Sequence, residues 1–314
     1  MAKRVILAVA GAGKTYHICH EIDPTKRNLI LAFTHENIFN IQKELCDAHG
    51  CVPELTTVST FDSFVYHQLV LPYEPSIAEH FGCPKFVSRG ICTVDPPPQT
   101  IKNSKGKPVA NPLYKKKDRL AHYVTMRGQY YCATLSELVL QVKKNRESLI
   151  KRVAARLNMF YDCVLIDEFQ DFREHDYELI MALAKQLKDV VLVGDYHQHS
   201  VSATNNSGKP FKNKKGEVSY DDFVASIIKE GFTVDASTLA KSRRCSMDVC
   251  DYVSQKLGIE ITSNGDHSGA VKWIDDEFWM MIGLSSWCFG RLVSIHFQLL
   301  IGHIPKAIQL ILLV

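Results

Sequence analysis

The sequence predicts an α/β fold in which a parallel β-sheet is covered by helices on both faces. Short apolar runs rich in branched residues are typical of buried strands, and they occupy residues 4–9, 28–33 and 55–60. Between them, apolar residues recur at helical spacing, as at Ile38 and Ile41. A glycine-rich turn also joins the first strand directly to the first helix. Because parallel strands need crossover connections, usually helices, this alternation favours a parallel sheet.

The rest of the chain continues the alternation. Segments 161–172 and 189–195 are predicted as buried strands that end in acidic residues, and 233–245 as a strand leading into a turn. Helices are predicted at 61–71, 133–157, 177–187, 221–232 and 246–258, the last ending at Gly258.

Composition indicates a globular protein of one or two domains, since 46% of the 314 residues are apolar and 23% are charged. A net charge of +3 is too small to indicate a nucleic-acid partner by itself. The ten cysteines include no CxxC pair, which argues against a zinc ribbon or a thioredoxin-type site and favours reduced thiols. The first strand begins at once, without a signal peptide, so a cytoplasmic location and no membrane partner are expected.

The glycine-rich turn, AVAGAGKT at residues 8–15, matches the Walker A pattern of P-loop NTPases. Glycines permit a sharp turn and close approach to phosphates, and the following helix start favours an anion. Lys14 is expected to reach the β- and γ-phosphates, and the Thr15 hydroxyl to bind Mg²⁺. The residues expected to bind the nucleotide phosphates are Ala10, Gly11, Ala12, Gly13, Lys14 and Thr15.

The second motif, VLIDEFQD at residues 164–171, is an apolar strand that delivers carboxylates to the edge of the sheet. Asp167 is expected to hold Mg²⁺, and Glu168 to orient and deprotonate the attacking water. Each motif supplies half of a phosphoryl-transfer site. Together they predict an α/β P-loop NTPase with a RecA-like parallel sheet.

The motifs AVAGAGKT, FTHEN, STFDSF, DEFQD, VGDYHQ and LAKSRRCS resemble, in this order, those of the UvrD/Rep-type superfamily 1 DNA helicases. The resemblance covers roughly residues 4–250 and implies ATP and Mg²⁺ as cofactors. It implies that Gln170 couples the nucleotide state to neighbouring motifs, and that Asp195 and Gln198 sense the γ-phosphate. Arg244, with Arg243 as the alternative, is implied to contact the γ-phosphate and to stabilise the transition state.

The resemblance also implies a single-stranded DNA partner. Thr34, Thr60, Phe61 and Ser63 are implied to lie along the DNA track, where hydroxyls bond phosphates and Phe61 stacks on a base. The alternative for Phe61 is ordinary core packing. Phe211, which lies in a lysine-rich segment, is a candidate for a further stacking residue. The basic runs at residues 102–107 and 114–131 are interpreted either as solvated loops or as a nucleic-acid contact, and the second run contains four aromatic residues: Tyr114, Tyr123, Tyr130 and Tyr131.

The predicted domain organisation follows from shifts in composition. Residues 72–155 contain DPPPQT and the basic runs, and are interpreted as an inserted subdomain. They would divide the ATPase domain into 1–71 and 156–235. Residues 236–277 are interpreted as the start of a second RecA-like domain, and 278–314 as a discordant apolar tail without Asp or Glu. The tail is interpreted as a non-native or truncated end, a terminal core helix or a membrane span.

Two motifs of the resembling family are missing. An adenine-contacting glutamine motif is not found before the glycine loop, and the late motifs of the second motor domain are not found after it. The first hypothesis is therefore an ATPase whose hydrolysis drives DNA translocation and unwinding in the full-length machine. The second is a nucleotide-gated DNA-binding or regulatory subunit that acts with a partner such as a nuclease. The third is a membrane-tethered ATPase.

Overall fold

A six-stranded parallel sheet forms the centre of the fold. The computed structural model describes residues 3–144, 147–199, 209–213, 216–273 and 310–313. Within these residues the sheet has the order β6-β1-β5-β4-β2-β3, and every neighbouring pair is parallel. The predicted parallel α/β sheet is therefore confirmed. Its strands are β1 (Lys3–Leu7), β2 (Asn28–Ala32), β3 (Thr56–Thr60), β4 (Cys163–Asp167), β5 (Asp189–Gly194) and β6 (Thr233–Asp235).

Helices connect the strands and cover both faces of the sheet. The helices of the described ranges are α1 (Lys14–Glu21), α2 (His35–His49), α3 (Phe61–Phe64), α4 (Glu74–His80), α5 (Leu135–Gln141), α6 (Leu149–Phe160), α7 (Glu174–Ala184), α8 (Tyr220–Lys229) and α9 (Met247–Leu257). A π-helical turn at Val65–Val70 and a 3-10 turn at Leu71–Tyr73 extend α3, which confirms the helix predicted over residues 61–71.

Alternate side chains along the strands pack into two separate hydrophobic cores, one on each face of the sheet. In β2, Leu29 and Leu31 belong to a core beneath α3 and α5 to α8, whereas Ile30 and Ala32 belong to a core beneath α1 and α2. This division follows from the two-residue period of a strand, which sends successive side chains to opposite faces. Because both faces are covered, β2 is buried along its whole length.

The prediction of a single helix over residues 133–157 is wrong, because α5 ends at Gln141 and α6 begins only at Leu149. Short antiparallel strands at Lys143–Lys144 and Glu147–Ser148 separate α5 from α6. The Ser148 hydroxyl accepts a hydrogen bond from the N–H of Ile150 at 3.3 Å and so caps the start of α6. The apolar periodicity that predicted one helix does not register this capping residue.

The interpreted insertion packs on the face of the sheet that α3, α7 and α8 also cover. Ile91–Cys92 pairs in parallel with Tyr130–Tyr131, and Thr100–Lys102 forms a hairpin with Pro108–Ala110. Leu120 and other buried residues of this segment share one core with the sheet. The domain boundaries at residues 72 and 155 stay a prediction.

The chain after β6 returns to the glycine loop. Lys241–Ser242 pairs in parallel with Thr262–Ser263, and α9 ends at Gly258, which adopts a left-handed conformation as its predicted stop. Leu310–Leu313 pairs with Ala270–Trp273. Residues 274–309 lie outside the described residues, so the interpretations of the tail stay predictions. Among the helices that the structure describes, none has the length and apolarity to cross a membrane.

Candidate nucleotide-binding site

The glycine loop connects β1 to α1 at the carboxyl edge of the sheet. Gly11 and Gly13 have φ of +74° and +85°, values that glycine adopts without strain. A Cβ on Gly11 would lie 2.7 Å from the Cβ of Arg244 and 2.9 Å from the Oγ of Ser242. Gly13 precedes α1 and provides no side-chain cap, which leaves the first N–H groups of the helix for an anion. The loop therefore has the backbone required to hold phosphate.

The structure brings the two halves of the predicted site together. The hydroxyl of Thr15 donates a 2.8 Å hydrogen bond to Oδ2 of Asp167, across 152 residues of sequence. Nζ of Lys14 lies 3.1 Å from Oε2 of Glu168. The side chains named for phosphate, metal and water thus meet at one point, where β1 and β4 end on either side of β5.

Burial sets the electrostatics of this point. Asp167 is 1% exposed, and loss of hydration raises the pKa of its carboxyl to about 6, with the charge of Glu168 adding to the rise. The Thr15 hydroxyl and Lys14 oppose the rise. A buried carboxylate of this kind is stabilised by a cation, and a carboxylate with a hydroxyl provides the oxygen ligands that Mg²⁺ prefers.

Few protein ligands are present for such a metal ion. In the part of the chain that the structure describes, no cluster of three or more His, Cys, Asp or Glu side chains is arranged to hold one. Thr15 and Asp167 provide two oxygen ligands, a set that fits Mg²⁺ held jointly with water and nucleotide phosphates, its usual mode at such sites.

Gln170 connects the two acidic strand ends. Its Nε2 donates to the Glu168 carboxylate, and its Oε1 accepts the N–H of Asp195 at 3.0 Å. A Cβ on Gly194 would lie 2.4 Å from that Oε1, so only glycine permits this close approach. Sequence reasoning did not single out Gly194, although it stands in the VGDYHQ motif. Glu168 itself has a φ of +55°, which is uncommon for a residue other than glycine.

Asp195 and Gln198 follow β5 in a short 3-10 turn. Asp195 is buried and accepts the N–H of His197 at 2.9 Å through Oδ1. Burial raises the pKa of the Asp195 carboxyl to about 6, while Lys14 opposes the rise. The N–H of Gln198 donates to the carbonyl of Asp195 at 3.1 Å, and its side chain is exposed. The sensing role of Gln198 stays a prediction.

Two arginines from the segment after β6 lie against the glycine loop. The N–H of Arg243 donates to the carbonyl of Gly11 at 2.9 Å, and its guanidinium lies 5.3 Å from the centroid of the Tyr16 ring. Arg244 lies so close to the same glycine that a Cβ on Gly11 would clash with the Cβ of the arginine. Both arginines are exposed beside the loop, and their contact with the γ-phosphate stays a prediction.

The four residues expected along the DNA track lie at the ends of neighbouring strands. Thr34 follows β2 and caps α2 by accepting the N–H of Asn37 at 3.1 Å. Thr60 ends β3 and accepts the N–H of Ser63 at 3.3 Å, which caps α3. Both hydroxyls thus have a structural role besides any contact with nucleic acid.

The expected stacking role of Phe61 requires a correction. Phe61 is 1% exposed, and its ring packs against Phe33, Phe64 and Phe172. No face of the ring is open to a base in this arrangement, because three aromatic neighbours from separate elements enclose it. The alternative of ordinary core packing describes Phe61.

The other stacking candidates are also largely enclosed. Phe211 is 2% exposed and stacks on His199 at 4.6 Å. Among the tyrosines of the basic runs, Tyr123, Tyr130 and Tyr131 are buried and only Tyr114 is partly exposed. The neighbouring cations do face solvent: Lys102, Lys105, Lys107, Lys115, Lys116, Lys117 and Arg119. The segment therefore offers charge rather than stacking surfaces.

A parallel sheet, a strand–glycine loop–helix unit and paired carboxylates at the carboxyl edge define a P-loop NTPase. The family model described as an AAA domain matches residues 2–204. The match spans more than half of the chain, which belongs to this AAA domain family and carries the fold of a nucleotide-binding ATPase. No curated protein sequence matches the chain significantly.

Proposed function

We propose that this chain is a Mg²⁺-dependent ATPase of the UvrD-like DNA helicase type, which couples hydrolysis to translocation along single-stranded DNA in the full-length machine. The observation that carries the proposal is the contact between the glycine loop and the segment after β6. The carbonyl of Gly11 accepts a hydrogen bond from the N–H of Arg243, and Ser242 and Arg244 lie so close that they leave no room for a Cβ on this glycine. Such a contact allows a second body of the chain to respond to phosphate in the first.

The residues of the glycine loop would bind the nucleotide. Backbone N–H groups of residues 10–15 and the ammonium of Lys14 would hold the phosphates. Phosphate oxygens compete with Glu168 for Lys14, because a single ammonium now pairs with that carboxylate at 3.1 Å. Thr15 and Asp167 would hold Mg²⁺, which neutralises phosphate charge when bound.

Hydrolysis would follow from the residues around that cradle. Glu168 would take a proton from water as the water oxygen attacks the γ-phosphorus and the bond to the β-phosphate oxygen breaks. Gln170 would keep the Glu168 carboxylate oriented through its amide, while Asp195 and Gln198 would sense the γ-phosphate. Arg244, or Arg243 in its place, would offset the charge that develops on the phosphoryl oxygens.

The nucleic-acid contact would use the edge where β2 and β3 end. Thr34 follows β2, Thr60 ends the adjacent β3, and Ser63 lies in α3; all three are at least partly exposed. Hydroxyls in such positions suit phosphate contacts, which fix the strand without reading its sequence. The buried Phe61 would support this edge from beneath rather than stack on a base.

A second candidate is a nucleotide-gated DNA-binding or regulatory subunit without motor activity, acting with a protein partner such as a nuclease. The observation that favours it is the enclosure of the aromatic candidates Phe61 and Phe211. A motor needs contacts that grip and release successive bases, whereas a switch needs only a surface that responds to nucleotide.

The test measures ATP hydrolysis by the purified chain with Mg²⁺, with and without single-stranded DNA. The proposal expects hydrolysis that DNA accelerates and that EDTA abolishes. Hydrolysis or nucleotide binding without any response to DNA would support the switch instead. Failure to bind ATP would overturn both.

A further inference from the structure

Arg173 holds two helices together through one guanidinium. Its Nη2 pairs with Oδ1 of Asp62 in α3, across 111 residues of sequence, and its Nε donates to Oδ2 of Asp176 in α7 at 2.6 Å. Asp176 is buried and also accepts the hydroxyl of Ser136 at 2.6 Å. Burial raises the pKa of the Asp62 carboxyl, and the Arg173 guanidinium opposes that rise. The side chains of Asp62 and Arg173 are only partly exposed, and the strength of their hydrogen bonds depends on distance and angle.

Arg173 is also close in sequence to the catalytic carboxylate. The 3-10 turn Phe169–Asp171 lies between Glu168 and this arginine, closed by a hydrogen bond from the N–H of Asp171 to the carbonyl of Glu168 at 2.9 Å. Phe172 follows the turn, with ring centroids 5.3 Å from Phe33 and 5.4 Å from Phe61. Residues 172 and 173 therefore contact both chain segments that carry the candidate DNA-track residues.

We propose that Arg173 is a positioning residue that transmits occupancy of the nucleotide site to α3. This inference rests on the proposed function. The Glu168 carboxylate pairs with Lys14 and accepts a hydrogen bond from Gln170. Phosphate that binds Lys14 therefore changes the forces on Glu168. The resulting displacement of Glu168 moves Phe172 and Arg173, because only the short turn Phe169–Asp171 separates them from it. Their contacts with Phe61 and Asp62 then move or tighten α3, whose first residues flank Thr60.

A purely structural role is the competing explanation. The N–H of Arg173 donates to Oδ2 of Asp176 at 3.2 Å, which stabilises the start of α7. That role predicts lower stability on mutation but no change in how α3 responds to nucleotide. The response of α3 therefore separates coupling from anchoring.

The experiment follows amide hydrogen exchange over residues 61–70 with and without Mg²⁺ and a non-hydrolysable ATP analogue. The inference expects wild-type exchange there to change by about fivefold or more on nucleotide binding, the lower end of typical coupling. Asp62→Asn keeps the Arg173–Asp176 pair but removes the charge on α3, and is expected to lose most of that change. Nucleotide affinity should stay within about twofold, since Asp62 does not touch the glycine loop.

Two further variants complete the design. Asp62→Glu restores the charge and should recover the response, which keeps the test informative if Asp62→Asn folds poorly. Asp162→Asn breaks the ion pairs with Arg27 and Lys188 at the opposite edge of the sheet, and should leave the response intact. A wild-type protein that binds nucleotide without change at α3, or an Asp62→Asn protein with an undiminished change, overturns the inference alone. Absence of nucleotide binding overturns the proposed function with it.

Discussion

The ammonium nitrogen of Lys14 lies 3.1 Å from a carboxylate oxygen of Glu168. One residue opens α1 and the other follows β4, and the proposed reaction requires each to act on a different partner. Lys14 must reach phosphate, and Glu168 must reach water. The ion pair therefore links nucleotide binding to the release of the general base, because phosphate and carboxylate compete for one cation.

Replacement of Glu168 by Gln should separate binding from hydrolysis. The amide keeps the shape of the side chain but cannot accept the proton from water, so the hydrolysis rate should fall by about 10²- to 10⁴-fold. Nucleotide affinity should stay equal or rise, because Lys14 loses its competing carboxylate. Fluorescent-nucleotide titration and phosphate release measure the two quantities. Glu54→Gln, at an exposed site, is the matched control. Normal turnover by the Glu168→Gln protein would contradict the assignment of Glu168 as the general base.

Truncation of the arginines beside the glycine loop should decide which one acts on the transition state. Arg244→Ala is expected to lower kcat by about 10³-fold with a smaller effect on KM, as for arginines that stabilise a transferring phosphoryl group. Arg243→Ala should chiefly disturb the contact with Tyr16. The opposite pattern would assign the role to Arg243. Arg127→Ala, in an exposed turn of the interpreted insertion, controls for loss of positive charge.

Stability of the protein in buffer without nucleotide or Mg²⁺ should depend on the protonation of Asp195. Its folded pKa of about 6 lies above the usual value of 3.8, so the folded protein holds this proton more tightly than the unfolded chain. The resulting stability is fully present below about pH 4 and is lost as pH rises to about 6, by up to about 3 kcal/mol. Asp195→Asn should therefore become more stable relative to wild type over that interval.

Denaturant unfolding at pH values from about 2 to about 7.5, which extend below the usual pKa of both carboxyls and above the folded pKa of Asp195, tests this dependence. Asp235 provides the control of opposite sign, because hydrogen bonds from Thr238 and Ser237 hold the pKa of its carboxyl well below the usual range. Asp235→Asn should lose stability relative to wild type above about pH 4. A pH-independent difference between Asp195→Asn and wild type would contradict the burial argument.

Single-stranded DNA binding should depend on salt through the exposed cations of the interpreted insertion. Substitution of Lys102, Lys105 and Lys107 by Gln should lower the slope of log affinity against log salt by about 2, at about 0.7 per phosphate contact. Fluorescence anisotropy across a salt series measures the slope. The same substitution of three exposed lysines elsewhere, at positions 26, 43 and 229, should change it less. An affinity that does not vary with salt would exclude this contact.

The central site was predictable because its information is local. A strand, a glycine loop and a helix occupy one short stretch, so Lys14 and Thr15 could be assigned from spacing alone. Asp167 and Glu168 end an apolar run, and a parallel sheet brings such ends to one edge. Spacing along the sequence therefore sufficed to predict which side chains meet.

The environment of each side chain was less predictable, because it depends on distant partners. The motif around Phe61 predicted an exposed stacking residue. In the structure, Phe33 and Phe172, which follow other strands, enclose its ring. The Arg173–Asp62 pair joins residues with no shared periodicity. The Ser148 hydroxyl caps the start of α6, but the apolar residues on both sides of it continue a helical spacing and so predict one uninterrupted helix.

The most direct measurement of the central claim is the rate of phosphate release from ATP with Mg²⁺, as single-stranded DNA is added to the wild-type chain and to Glu168→Gln. The account predicts a rate that rises with DNA to a plateau in the wild type and stays near background in the variant. Nucleotide binding by both proteins, with a wild-type rate that DNA does not change, would contradict the coupling of hydrolysis to DNA.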